Sequence, residues 1–240
     1  MKIPIWVHET AAFFWEAAGA LEPFPRSLRE PIRRSPFELT VKEMPGLSTT
    51  SAEKYLIRLG PGWVCGGPDR AIRACLAARD GAGFILLYAD DTFAERTFSL
   101  AHELAHYLWH YWGPRQRAGR QLGDRAIEVF DGRRAPTSAE RLRALLSNVP
   151  LGPFLHLMER GQNGEIVNNR VSAIEEEADR IAYELLAPVA EATSGSSRSH
   201  LATELIEVFG LPPARAEHYS HLLLPPAIPD PLIQRFRGKK

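Results

Sequence analysis

The run His102-Glu103-Leu104-Ala105-His106 constrains this chain more than any other feature. On an α-helix, residues four apart stand one above the other, so two imidazoles at that spacing can grip a single ion. Glu103 then lies beside the metal, where it can take a proton from a zinc-bound water. The surrounding residues Phe98, Leu100, Ala101, Leu104, Ala105, Tyr107, Leu108, Trp109, Tyr111 and Trp112 are apolar nearly all round the helix, the pattern of a buried helix. Two histidines and a carboxylate inside such a helix are costly unless they are paired or bind a metal. His110, eight residues after His102, reads as a packed or surface histidine rather than a further ligand.

Two nitrogens do not complete a zinc site, so a third ligand must come from another segment. Ile174, Ala178, Ile181, Ala182 and Leu185 follow helical spacing, and Glu175 and Asp179 share a face bordering that stripe. Glu175 is the expected third ligand. Asp179 is placed to accept the outer N–H of a ligating histidine. Glu177, elsewhere on the wheel, is the alternative ligand, and Glu176 is expected to face solvent. A rival account needs no metal: Ser172 with Glu175 matches a capping box, and acids near a helix N-terminus are favoured by the macrodipole. Tyr183, on the same helix, is a lesser candidate for stabilising a developing oxyanion; a core role is the ordinary one for such a tyrosine.

The stretch Arg96–His106 resembles the active-site helix of the ImmA/IrrE metallo-endopeptidases, and Glu175-x-x-Ala178-Asp179-x-x-Ala182-x-x-Leu185-Leu186-Ala187-Pro188 resembles that family's second signature. The resemblance spans residues 80–190. It implies a gluzincin-type site with one Zn2+ per chain, in which His102, His106 and Glu175 are ligands and Glu103 is the catalytic acid/base. It also implies a bacterial, cytoplasmic enzyme of stress or mobile-element regulation, whose substrate is a protein such as a helix-turn-helix transcription regulator. The chain departs from compact members in the 68 residues between His106 and Glu175. An insertion at 113–171 accounts for that excess. A zinc-containing binding protein without turnover, and a zinc hydrolase acting on a small molecule, are the competing functions.

The fold expected is α+β and zincin-like, mostly helical, with a small β-sheet preceding the His-Glu-x-x-His helix. Residues 1–190 form the metallopeptidase domain; 191–240 form a linker over Thr193–Ser199, a helical pair over His200–Phe209 and Ala214–Leu223, and a Pro-rich tail. Helices are expected at Thr10–Gly19, Ser27–Arg34, Ala71–Arg79, Glu128–Asp131, Thr137–Asn148 and 174–186, with Tyr55–Leu59 open between strand and helix. The segment 66–69 reads as a turn. The clearest strand is Gly83–Ala89, and in zincin-like peptidases the strand at that position often pairs with substrate.

At 240 residues and 45 % hydrophobic, the chain has enough apolar material for a substantial core. Its 29 basic and 29 acidic residues leave no electrostatic footprint for nucleic acid. No run approaches the roughly 18 apolar residues needed to span a bilayer, and no secretory signal is evident, so a cytoplasmic location without membrane contact is expected. Cys65 and Cys75 fit neither a disulfide framework nor a standard zinc spacing.

Overall fold

A computed structural model describes residues 3–60, 63, 68–146, 154–156, 169–194 and 200–224. It has an α+β architecture. In chain order its elements are α1 (Ile5–Ala17), α2 (Arg29–Arg34), β1 (Leu39–Met44), α3 (Thr49–Leu59), β2 (Ala74–Arg79), β3 (Ala82–Tyr88), α4 (Phe93–Ala105), α5 (Gly113–Leu122), α6 (Asp124–Phe130), α7 (Ser138–Leu146), β4 (Phe154–His156), α8 (Asn169–Leu186), α9 (Val189–Ala192), α10 (Leu201–Glu207) and α11 (Pro213–Leu223). A π-helical stretch, His106–Trp112, joins α4 to α5.

The sheet has the order β1-β3-β2-β4. β2 and β3 form an antiparallel hairpin around Asp80-Gly81, whose φ angles of 57° and 91° match the two-residue turn that suits strand twist. β1 joins β3 in parallel, and β4 joins the far side of β2 antiparallel. Residues 74–79 are therefore a strand, not the expected helix over Ala71–Arg79. The alanines favour a helix locally, but Cys75, Leu76, Ala77 and Ala78 are all buried, so both faces of the strand are covered and no alternation survives to signal it. Because β3 is bonded to a neighbour on each edge, it has no free edge for a substrate strand. The pairing role expected of residues 84–88 is thereby excluded.

Layers stack on both faces of the sheet. Leu76, Ala78, Ile85 and Leu87 point into the main core with α4, and α8 covers the far side of α4. The alternate residues Cys75, Ala77 and Leu86 pack with Leu47, Ala52 and Leu56 beneath α3. Tyr55–Leu59 is the end of that helix, which begins at a reciprocal cap between Ser48 and Ser51. α1 starts five residues earlier than expected and packs against α8 through the main core.

Two phenols fasten α4's extension to the hairpin. The Tyr107 hydroxyl donates to the Gly81 carbonyl at 2.6 Å, and the Gly81 N–H donates to the Tyr111 hydroxyl at 2.7 Å. Tyr107 lies so close over β3 that a Cβ at Gly83 would stand 2.9 Å from its ring and 2.5 Å from Leu39 Cδ2. Only glycine fits there.

The described parts of 113–171 are built into the fold. Arg115 on α5 makes a two-pronged bond to the buried Asp131 carboxylate at 2.9 and 2.8 Å, and β4 supplies the fourth strand. Thr137 and Glu140 form a reciprocal cap at the start of α7. Residues 147–148, at the end of the helix expected there, lie outside the described residues. So do 66–67 of the expected turn, Cys65, linker residues 195–199 and the tail beyond 224. The helical pair α10 and α11 shares the main core: Leu201, Leu205, Leu211 and Ala216 join it, and the Tyr219 hydroxyl donates to the Ala187 carbonyl at 3.1 Å. Gly210, at φ 70°, closes the turn that follows α10, its N–H donating to the Ile206 carbonyl. Among the described residues no helix is long and apolar enough to cross a membrane.

Candidate metal centre

Thr92 caps α4 by accepting the Glu95 N–H, and the helix then carries His102 and Glu103 into the space between the sheet and α8. α8 begins at Asn169, three residues before Ser172. Ser172 is thus inside the helix, and the capping-box explanation of Glu175 falls away.

The two helices bring three donors together. His102 Nε2 lies 3.1 Å from His106 Nε2 and 3.2 Å from Glu175 Oε2, and His106 Nε2 lies 3.8 Å from Glu175 Oε1. Ligands about 2.1 Å from a tetrahedral zinc stand roughly 3.4 Å apart, so these separations fit one ion. All three residues are buried, His106 completely. By both chemistry and spacing the trio could hold a metal ion. Glu103, the next residue after His102, is itself 4 % exposed, and its charge acts on the His102 ring.

Behind His102 stands a charged arm. Its Nδ1 is 2.8 Å from Asp179 Oδ1, and the other Asp179 oxygen accepts from Arg215 Nη1, also at 2.8 Å. Arg215 comes from α11 and rests over the Phe98 ring at 4.5 Å. Burial alone would lower the His102 pKa, but hydrogen bonds to Asp179 and Glu175 outweigh it and lift the ring to about 10. Burial would likewise raise the Asp179 carboxyl, yet His102 and Arg215 hold it below its usual value. The raised pKa favours the protonated ring of His102, and a metal bound at Nε2 would displace that proton.

Comparisons with protein-family models, curated proteins and solved structures found no match.

Glu177 is not part of the trio. Its Oε2 accepts from Trp109 Nε1 at 3.2 Å and lies 3.1 Å from His110 Nε2, on the outer side of His106. Tyr183 is also engaged elsewhere. Its hydroxyl donates to the Arg215 carbonyl at 3.3 Å, its ring lies flat on Tyr219 at 4.2 Å, and burial raises its pKa to about 12. These contacts hold α11 to α8. Glu176 is exposed, as its place on the wheel implied.

Sequence reasoning missed two contributors. Arg215 is 36 residues beyond Asp179, and nothing local connects them. His110 carried a visible signal, four residues after His106, but the partner that gives it a role lies on α8.

Proposed function

We propose that this chain is a zinc-dependent endopeptidase with a zincin-like fold, built on the plan of the ImmA/IrrE family. The observation that carries the reading is the convergence of His102 and His106 with Glu175, separated from His106 by 68 intervening residues, with Asp179 bonded behind His102. A zinc ion held by those three residues supplies Lewis acidity toward a water and a peptide carbonyl. Glu103 takes the proton of the attacking water and returns it to the leaving amine nitrogen. The apolar walls of α4 and α8 exclude competing water from that exchange. A peptide that adds to the sheet does so at an outer strand, β1 or β4, since both edges of β3 are occupied. The substrate class is a cytoplasmic regulatory protein such as a helix-turn-helix repressor.

Glu103→Gln tests the assignment. The variant keeps zinc, and its hydrolysis of the substrate falls by about 10²–10⁴-fold, the usual worth of a positioned acid/base. Full retained activity would contradict the role.

A second reading draws on the burial of the trio, in which each ligand is less than 10 % exposed. A closed site suits a zinc-containing regulator that acts by binding a partner. Under that reading the biological effect of the protein persists in Glu103→Gln; under the peptidase reading it disappears with hydrolysis.

A further inference from the structure

Behind His106 lies a chain of contacts unlike the one behind His102. His106 Nδ1 is 3.1 Å from His110 Nδ1, and His110 Nε2 is 3.1 Å from Glu177 Oε2. The Trp109 indole N–H donates to the same carboxylate oxygen, and Trp6 from α1 stacks on Trp109 at 4.5 Å. His110 sits in the π-helical stretch. Pro114, four residues on, cannot donate to the His110 carbonyl and would crowd it in a regular α-helix, which accounts for the widened turn. The widening sets the two rings 5.0 Å apart and tilted by 36°.

Two facing ring nitrogens form a hydrogen bond only when one carries a proton and the other does not. For Nε2 of His106 to serve a metal, it must present a lone pair, so the proton of the neutral ring sits on Nδ1. That N–H donates to His110 Nδ1, which is then bare. The proton of His110 consequently sits on Nε2 and donates to the Glu177 carboxylate. A single choice of tautomer for each ring satisfies both of these contacts.

We propose that His110 and Glu177 are positioning residues: a relay that holds His106 in its Nδ1–H tautomer and so aims its Nε2 lone pair at the metal. The inference rests on the zinc reading given above. It also accounts for Glu177 without making it a ligand, because the carboxylate is the anionic end of the relay. Partners of this kind are commonly worth a 10- to 100-fold change in metal affinity.

The test is zinc affinity of the full chain, measured at fixed pH by competition with a chromophoric chelator. His110→Leu, which cannot accept a hydrogen bond, is expected to bind zinc about 10- to 100-fold more weakly than wild type. Glu177→Gln keeps an acceptor but loses the charge, and its loss stays below about 10-fold. His110→Gln, which offers a carbonyl oxygen to His106, recovers part of the deficit of His110→Leu. A folded His110→Leu with wild-type affinity would overturn the relay while leaving the metal site standing. A wild-type chain that holds no zinc would instead bring down the metal reading and the relay together. Should His110→Leu fail to fold, nitrogen-15 NMR of the zinc-loaded wild type decides. A proton on His106 Nδ1 supports the relay, and attachment of zinc through Nδ1 overturns it.

Discussion

His102 and His106 turn the same ring atom toward one cluster but are held from behind by different chemistry. The His102 arm is a sequence of full charges: carboxylate of Asp179, guanidinium of Arg215, and an aromatic face beneath. The His106 arm is a second imidazole ending in a half-exposed carboxylate. The first arm reaches across the fold to α11, and the second stays on α4's own extension and α8. The difference separates two jobs. A charged arm favours a proton on His102 in the absence of metal; an imidazole arm fixes which nitrogen of His106 carries its proton.

The strongest way to break this comparison is Asp179→Asn. The change removes one of the charges that together outweigh burial at His102 and takes from Arg215 its anionic partner. Zinc affinity is expected to fall by about 10- to 100-fold, more than in Glu177→Gln, and stability by about 1–3 kcal/mol. Chelator competition and urea unfolding of the two variants side by side read both effects. Equal losses would show that the arms are equivalent.

Proton release comes next in size. A His102 ring lifted from 6.5 to about 10 stabilises the metal-free fold fully below pH 6.5, and that contribution disappears as the pH climbs through 10. The urea midpoint of the metal-free protein should therefore decline between those limits. Over the same window zinc binding should release a proton, seen by calorimetry in two buffers of different ionisation heat. Proton-neutral binding at pH 7 would contradict the charged state assigned to His102. In Asp179→Asn the release at pH 7 should shrink.

Arg215→Leu has the smallest expected effect. Its side chain is 40 % exposed, so solvent screens its pull on Asp179, and Asp179 still faces His102 in its absence. Zinc affinity should weaken by only a few-fold, with a modest drop in the urea midpoint. A loss as large as that of Asp179→Asn would mean that α11, and not α8, sets the geometry behind His102.

The part of the centre carried by α4 and α8 was legible in the sequence because helical spacing converts directly into a shared face. His102, His106, Glu175 and Asp179 could all be named from it, and Glu176 could be set aside. Glu177 was visible only as an acid on a neighbouring part of the wheel; its engagement with Trp109 and His110 depends on how the two helices meet. The sheet was legible in one strand alone. β3 is a continuous apolar run, whereas β2 hid its nature behind alanines buried on both faces. Its one local signal was Asp80-Gly81, a strong mark of a two-residue hairpin between apolar segments. β1 is short, with its middle residue Val41 only partly buried between exposed Thr40 and Lys42, and left a faint pattern. Long-range pairings such as Arg215 with Asp179 leave no periodic trace at all.

The central claim is that α4 with its π-helical extension, and α8, together hold one metal ion through His102, His106 and Glu175. Elemental analysis of the purified chain tests it most directly, beside His106→Ala, Glu175→Ala and Glu177→Ala. The account predicts about one zinc per wild-type chain, loss of that zinc in the first two variants, and a weakened but occupied site in Glu177→Ala. A wild-type chain that holds no zinc after zinc is supplied, or a Glu175→Ala chain that keeps it while Glu177→Ala does not, would contradict it.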